Sequence, residues 1–203
     1  MLTNVEIRAK ARQTLSGSIF SRDWLFAALM VLIISILNGI AGATAIGIFF
    51  IAGPIGMACA GYFLHLTRGQ IKSENLSEGL EIVKRDVGGS IIAGLLYNLA
   101  VSIGYMFFFI PGIIVQLLFG LIYLVKIDNP DLGVIEAFKE SYRLIKGHIA
   151  QFIMLRLSFI GWILLGMLSF GIGSYFVAAY MNAADAIFYD ELLREDRKNR
   201  ILD

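Results

Sequence analysis

The sequence predicts an all-α polytopic membrane helix bundle: six transmembrane helices plus three amphipathic interfacial helices, arranged as three repeats of parallel orientation. Three observations predict it. There are six long apolar runs, the lysines and arginines keep to alternate junctions between those runs, and one capped-helix pattern occurs three times. Composition agrees: of 203 residues 58% are hydrophobic, only 16% are charged and 21 are glycine, a mixture that suits helices packed in lipid.

The apolar runs are Trp24–Ile40, Ile46–Leu66, Ile91–Ile110, Pro111–Ile127, Ile149–Phe170 and Ser174–Tyr189, each near the ~20 residues that cross a bilayer. The fourth is short and starts at its proline, a residue preorganised for a first helical turn, so it stands nearly upright. The turns within each pair, Asn38–Ala45, Pro111–Gly112 and Gly171–Gly173, carry no charge. Every one of the 17 lysines and arginines except Arg156 lies at the opposite junctions. By the positive-inside rule, both termini and both long loops face the cytoplasm. A soluble helical core would not segregate its cations in this way. The basic stretch from Arg8 to Arg12 belongs to an amphipathic helix, and the run after it is too long for a signal peptide. Cys59 stands alone, so no intrachain disulfide forms; it reads as a packing residue.

The repeated pattern is a capped amphipathic helix ended by glycine, then two spans. The first unit opens at Thr3, has Glu6, and stops at Gly17. The second opens at Asn75, has Glu78, and stops at Gly88; the third opens at Gly133, has Glu136, and stops at Gly147. A capping residue, a glutamate reaching back to its amide and a left-handed glycine are the start and stop signals of a helix. The repeat-like units cover about residues 2–68, 75–128 and 133–193 of one membrane domain, and pseudo-threefold packing is expected. Helical spacing puts Leu76, Leu80, Val83 and Val87 on one face of the second helix and Ile135, Phe138, Tyr142 and Ile145 on one face of the third. Ile7, Ala11 and Leu15 form the weaker stripe of the first. The basic residues beside the stripes, Lys84, Arg85, Lys139, Arg143 and Lys146, mark a cytoplasmic interface for anionic lipid or a protein partner. Packing against the bundle is the plainer role for the same helices.

From Ile110 onward the chain resembles a family of uncharacterised bacterial multi-pass membrane proteins, domain of unknown function 975. The residues that carry this are Ile110-Pro111-Gly112-Ile113-Ile114, Asp128-Asn129-Pro130-Asp131-Leu132, Glu136-Ala137-Phe138-Lys139-Glu140-Ser141 and Lys146-Gly147-His148. Leu157-Ser158-Phe159-Ile160-Gly161-Trp162, Gly171-Ile172-Gly173 and Phe188-Tyr189-Asp190-Glu191-Leu192 continue it, with Gly53-Pro54 and Leu66-Thr67-Arg68-Gly69 upstream. The resemblance implies a membrane protein without an assigned reaction. The chain is also similar to the membrane portion of glycerophosphodiester phosphodiesterases, without their catalytic domain.

Arg156 and Asp185 are the ionisable residues well inside a span, and such residues are candidates for function by default. Arg156 lies about 8 residues, roughly 12 Å, into the fifth span. Fifth and sixth spans form one hairpin, so the two charges can meet as an ion pair that fixes its register, or line a polar path for a solute or proton. Asn182 and Tyr180, Tyr97 and Asn98, and Gln116 extend that path or act as interhelical hydrogen-bonding glue. Asp128, Asn129, Pro130 and Asp131 form an acidic boundary turn that closes the fourth span. A metal there would need His148 or His65 as well; a turn is the reading, with no metal and no cofactor. Gly53, Gly56 and Gly61 on the second span, and Gly161 and Gly166 on the fifth, suit close helix approach, within the bundle or between copies in a homo-oligomer.

No P-loop, dinucleotide fingerprint, nucleophile elbow or zinc spacing occurs, and no nucleophile–base set that would make an enzyme. The basic residues are juxtamembrane, which argues against nucleic acid. The function expected is a non-enzymatic membrane module that binds anionic lipid or a protein partner through its amphipathic helices. The alternative is a transporter or channel with its path around Arg156 and Asp185.

Overall fold

Thr3 opens helix α1 (Asn4–Thr14) with a complete capping box: its amide donates to the Glu6 carboxylate at 2.7 Å and its hydroxyl accepts from the Glu6 amide at 3.3 Å. The helix ends where Gly17 takes φ 73° and its N–H bonds back to the Arg12 carbonyl at 2.8 Å. The computed structural model describes residues 1–18, 21–42, 45–107, 116, 120–169 and 171–202, and among them 81% are helical and none is in a strand. The further helices are α2 (Arg22–Gly42), α3 (Ala45–Thr67), α4 (Glu78–Arg85), α5 (Val87–Phe107), α6 (Ile122–Asp128), α7 (Val134–Ile145), α8 (Ile149–Leu157), α9 (Ile160–Leu168) and α10 (Ile172–Leu202).

Among the described residues four helical segments are long and apolar enough to cross a membrane: Arg22–Ile40, Phe50–Thr67, Val87–Met106 and Ile149–Leu168. They correspond to the first, second, third and fifth of the runs read from the sequence. Most of the fourth run, with the turns Ile110–Ile114 and Pro111–Gly112, lies outside the described residues. The sixth run falls within α10, which is not among the four; Asn182, Asp185 and several tyrosines lower its apolarity. Those polar residues stand on a helix whose Ala179, Tyr180, Ala183, Ala184, Ile187 and Phe188 are buried against protein. The fifth run is not one uninterrupted helix. The Ser158 hydroxyl bonds to the Leu155 carbonyl at 2.6 Å and the Phe159 amide to the Arg156 carbonyl at 3.1 Å, which separates α8 from α9 by a tight turn.

The second capped helix also differs from expectation. It starts at Glu78, after Ser77 in the αR region with no side-chain cap bond, rather than at Asn75. It ends at Asp86, not Gly88. Asp86 bonds the Gly89 amide at 2.8 Å through its side chain and so caps α5, which contains Gly88. The third follows the pattern: the Gly133 amide donates to Glu136 at 3.0 Å, and Gly147 has φ 98°.

The chain divides into two compact units, Met1–Ile33 with Tyr62–Leu76 and Ala150–Asp203, and Ile34–Gly61 with Ser77–Ile149. In the first, α1 packs on α10 and buries Ile7, Ala11 and Leu15 completely. Phe152 stacks on Phe188 with centroids 4.9 Å apart, and Phe159 meets Tyr180 edge-on at 5.0 Å. In the second, α3 and α5 cross backbone to backbone: a Cβ on Gly53 would run into the Ser90 carbonyl and come within 2.9 Å of Gly94 Cα. Pro54 lies inside α3, so Gly53-Pro54 neither starts nor stops that helix. Gly56 and Gly61 are also in tight contacts, against Tyr123 and Ile82, whereas Gly161 faces open space.

Candidate functional sites

The Arg156–Asp185 pair forms. Arg156, at the end of α8, donates from Nη2 to Asp185 Oδ2 on α10 at 2.6 Å, and its guanidinium lies 5.2 Å from the Phe152 ring. A charge left alone in an apolar surrounding is expensive, so pairing is the expected solution. Two atoms of the pair, Arg156 Nε and Asp185 Oδ1, are nevertheless buried without a hydrogen-bond acceptor or donor. Asn182, one turn before Asp185, donates to the Ala178 carbonyl of its own helix at 2.9 Å. Tyr180 donates its hydroxyl to the Arg8 carbonyl at 3.0 Å.

Tyr97 and Asn98 belong to the other unit, where the Tyr97 ring stands 5.8 Å from that of Tyr123. There Gln116 accepts the Tyr105 hydroxyl at 3.0 Å. Within its unit the structure brings Arg156 and Asp185 together.

The boundary turn is organised by a residue that sequence reasoning missed. Lys126 is only 4% exposed, and its Nζ donates to the Pro130 carbonyl at 2.6 Å and the Leu132 carbonyl at 2.8 Å. The same ammonium lies 2.8 Å from the Asp86 carboxylate at the start of α5. One buried cation thus ties the loop after α6 to the cap of α5. Burial works against ionising Asp86, but Lys126 and the Gly89 amide outweigh it and hold the carboxyl below its ordinary value. Asn129 caps α6, with its side-chain amide on the Val125 carbonyl at 3.0 Å. Among the described residues no three of histidine, cysteine, aspartate and glutamate converge as metal ligands.

The amphipathic helices show two apolar faces where the sequence reading recognised one. On α4 the buried residues are Gly79 and Ile82, while Leu80 is 61% exposed. On α7 Ala137, Ser141 and Leu144 are buried, while Ile135 is 65% exposed and Tyr142 is also exposed; Ile145 alone of that stripe is fully covered. Ile82 lies against Gly61 of α3, whereas Leu80 and Ile135 face outward. Lys84 and Arg143 each pair with a glutamate one turn back, Glu81 at 2.8 Å and Glu140 at 2.7 Å. Arg85, Lys139 and Lys146 are exposed and form no ion pair among the described residues.

With its described residues all-helical and four helices among them long and apolar enough to cross a membrane, the chain is, by length and composition, of the membrane-protein class. Residues 105–196 match the model of the family described as "Protein of unknown function (DUF975)", to which this stretch of the chain is similar. The matched stretch runs from the end of α5 into α10 and contains Lys126, Arg156 and Asp185. Comparison with the curated proteins and with the solved structures found no match.

Proposed function

We propose that this protein is a non-enzymatic module of the bacterial plasma membrane, crossing it six times as three like-oriented repeats with both termini cytoplasmic, and that its amphipathic helices engage anionic lipid. The observation that carries this is the outward apolar face of α4 and α7. Exposed Leu80, Ile135 and Tyr142 stand on helices that also carry Arg85, Lys139 and Lys146. A helix in water does not profit from such a face, whereas one at the headgroup boundary buries it and places its cations near lipid phosphate. Each lysine or arginine there contributes on the order of 1 kcal/mol, less as salt rises. The test is native mass spectrometry of protein released gently from its own membrane. Retained anionic lipid, lost when Lys84, Arg85, Arg143 and Lys146 are reversed to glutamate, supports the reading. A stoichiometric protein partner lost in that variant would assign the face to protein instead, and lipid retention unchanged by the reversal would refute it.

A second reading, a polar path for a solute or proton around Arg156 and Asp185, is favoured by the two buried atoms of that pair that lack hydrogen-bond partners. Asp185→Asn separates the readings, since a path would lose flux while the protein still assembles.

A further inference from the structure

Both tryptophans of the chain line one groove. Trp24 at the start of α2, Trp162, Leu165 and Gly166 on α9, and Phe176 and Tyr180 on α10 bound a cavity of about 370 Å³ with an almost wholly apolar lining. From Ile172 to Tyr180 it follows α10 over about 12 Å at 1.5 Å per residue. The backbones of α9 and α10 close it at the hairpin tip, where a Cβ on Gly166 would come within 3.1 Å of the Ser174 nitrogen. At the other end the rings are locked. Tyr180 meets Trp24 edge-on at 5.6 Å and Trp162 at 6.2 Å, and Trp24 Nε1 donates to the Phe176 carbonyl at 3.0 Å.

Arg12 stands at that end, with Arg8 near Tyr180 as well but turned to the Ser158 carbonyl. The Arg12 guanidinium lies 5.7 Å from the centre of the Trp162 ring and 6.0 Å from that of Tyr180. Stacking on two fixed rings orients a planar cation without neutralising it. Among the described residues Arg12 forms no ion pair, whereas its neighbour Lys10 lies 3.9 Å from Glu191. An apolar slot with an unneutralised guanidinium at the level where the first long apolar segment begins matches an amphiphile with an anionic head.

We propose that this groove binds one acyl chain of an anionic phospholipid, with the lipid phosphate on Arg12. The inference rests on the membrane reading above but uses a different unit of the chain from α4 and α7. Tyr180 and Trp162 act as walls and as the platform for the cation, and the Gly166 crossing sets the depth at which the chain stops.

Because Trp24 and Trp162 are the only tryptophans, intrinsic fluorescence reports directly on the groove. The protein is reconstituted in phosphatidylcholine vesicles doped with phosphatidylglycerol or phosphatidylcholine brominated along one acyl chain. Brominated phosphatidylglycerol should quench at about fivefold lower mole fraction than brominated phosphatidylcholine, the preference one arginine near lipid phosphate provides. Arg12→Gln should abolish that preference and Arg12→Lys should keep most of it; Arg12 is exposed, so folding is spared. Val177→Phe, which narrows the groove, should weaken quenching by both lipids. Equal quenching by the two lipids in the unaltered protein, a preference that survives Arg12→Gln, or tryptophans shielded from both would each overturn the proposal. The reversal of Lys84, Arg85, Arg143 and Lys146 must leave the preference intact, which separates failure here from failure of the α4 and α7 interface.

Discussion

Arg68 and Asp190, 122 residues apart in the chain, are joined by two hydrogen bonds onto a single oxygen: Arg68 Nε and Nη2 donate to Asp190 Oδ1 at 2.9 and 2.7 Å. The pair ties the loop after α3 to α10 and is largely shielded, with 23% and 19% of the side chains exposed. It also connects two segments that carry the family resemblance, Leu66–Gly69 and Phe188–Leu192. Removing either residue should lower the thermal midpoint in detergent by the equivalent of about 1–3 kcal/mol, since the other is left without its charged partner. Arg68→Lys should recover little, because an ammonium cannot reproduce two donors in one plane. A double-mutant cycle with no coupling between Arg68→Ala and Asp190→Ala would count against this account.

What could be read from the sequence was local or bounded by a single hairpin. The Thr3–Glu6 box and the Gly17 and Gly147 stops depend on residues within one turn, and the structure has them. Arg156 and Asp185 could be paired in advance because their segments are joined by a short turn. Arg68–Asp190 and Lys126–Asp86 could not, since no local pattern says which distant carboxylate a juxtamembrane cation will meet. Lys126 was counted only as a topological charge, although it proves almost wholly buried. The faces of α4 and α7 were legible as apolar, but their assignment inward or outward belongs to tertiary packing. Ile82 fills the space beside Gly61 of α3 and Ala137 and Leu144 are buried, whereas Leu80 and Ile135 face outward. Asp86 misled in another way, because a residue able to cap the following helix overrode the glycine stop expected two positions later.

Asp185→Asn should destabilise the hairpin of α8, α9 and α10, because it removes the compensation for Arg156 while leaving that charge in place. Arg156 is 37% exposed, so the loss should be moderate, about 1–3 kcal/mol in thermal unfolding. Replacing both at once, as Arg156→Met with Asp185→Leu, should recover much of it, as buried pairs exchanged for apolar residues commonly do. A double variant as unstable as the sum of the two single ones would show that the pair is not the relevant interaction.

Stability should fall on the acid side through Asp86. Its folded-state pKa is depressed, so its contribution is fully present above the unfolded aspartate value of about 3.9 and is lost as pH drops through the lower folded value. Unfolding followed between pH 7 and pH 3 should be flat near neutrality and should weaken below about pH 4. Lys126→Met should remove most of this protection and loosen the turn at Pro130 and Leu132, whose carbonyls lose their donor. Asp86→Asn should be less stable at neutral pH and less steeply sensitive to acid; an unchanged acid slope in that variant would assign the effect to other carboxylates.

Two glycines of the same residue type should respond in opposite directions. Gly53 lies where α3 and α5 touch through their backbones, and a valine there would have to displace Ser90 and Gly94. Overpacking of that kind costs about 1–3 kcal/mol, and at a backbone-to-backbone crossing no side chain can rotate away to relieve it. Gly161 lies in α9 with nothing within 4 Å of its would-be Cβ. Gly161→Ala should therefore be neutral or raise stability by up to about 1 kcal/mol through helix propensity. Thermal unfolding of Gly53→Val and Gly161→Ala in the same detergent compares them directly. Equal losses at both positions would mean that α9 is covered by something that this chain alone does not supply, such as a second copy packed on its small-residue face.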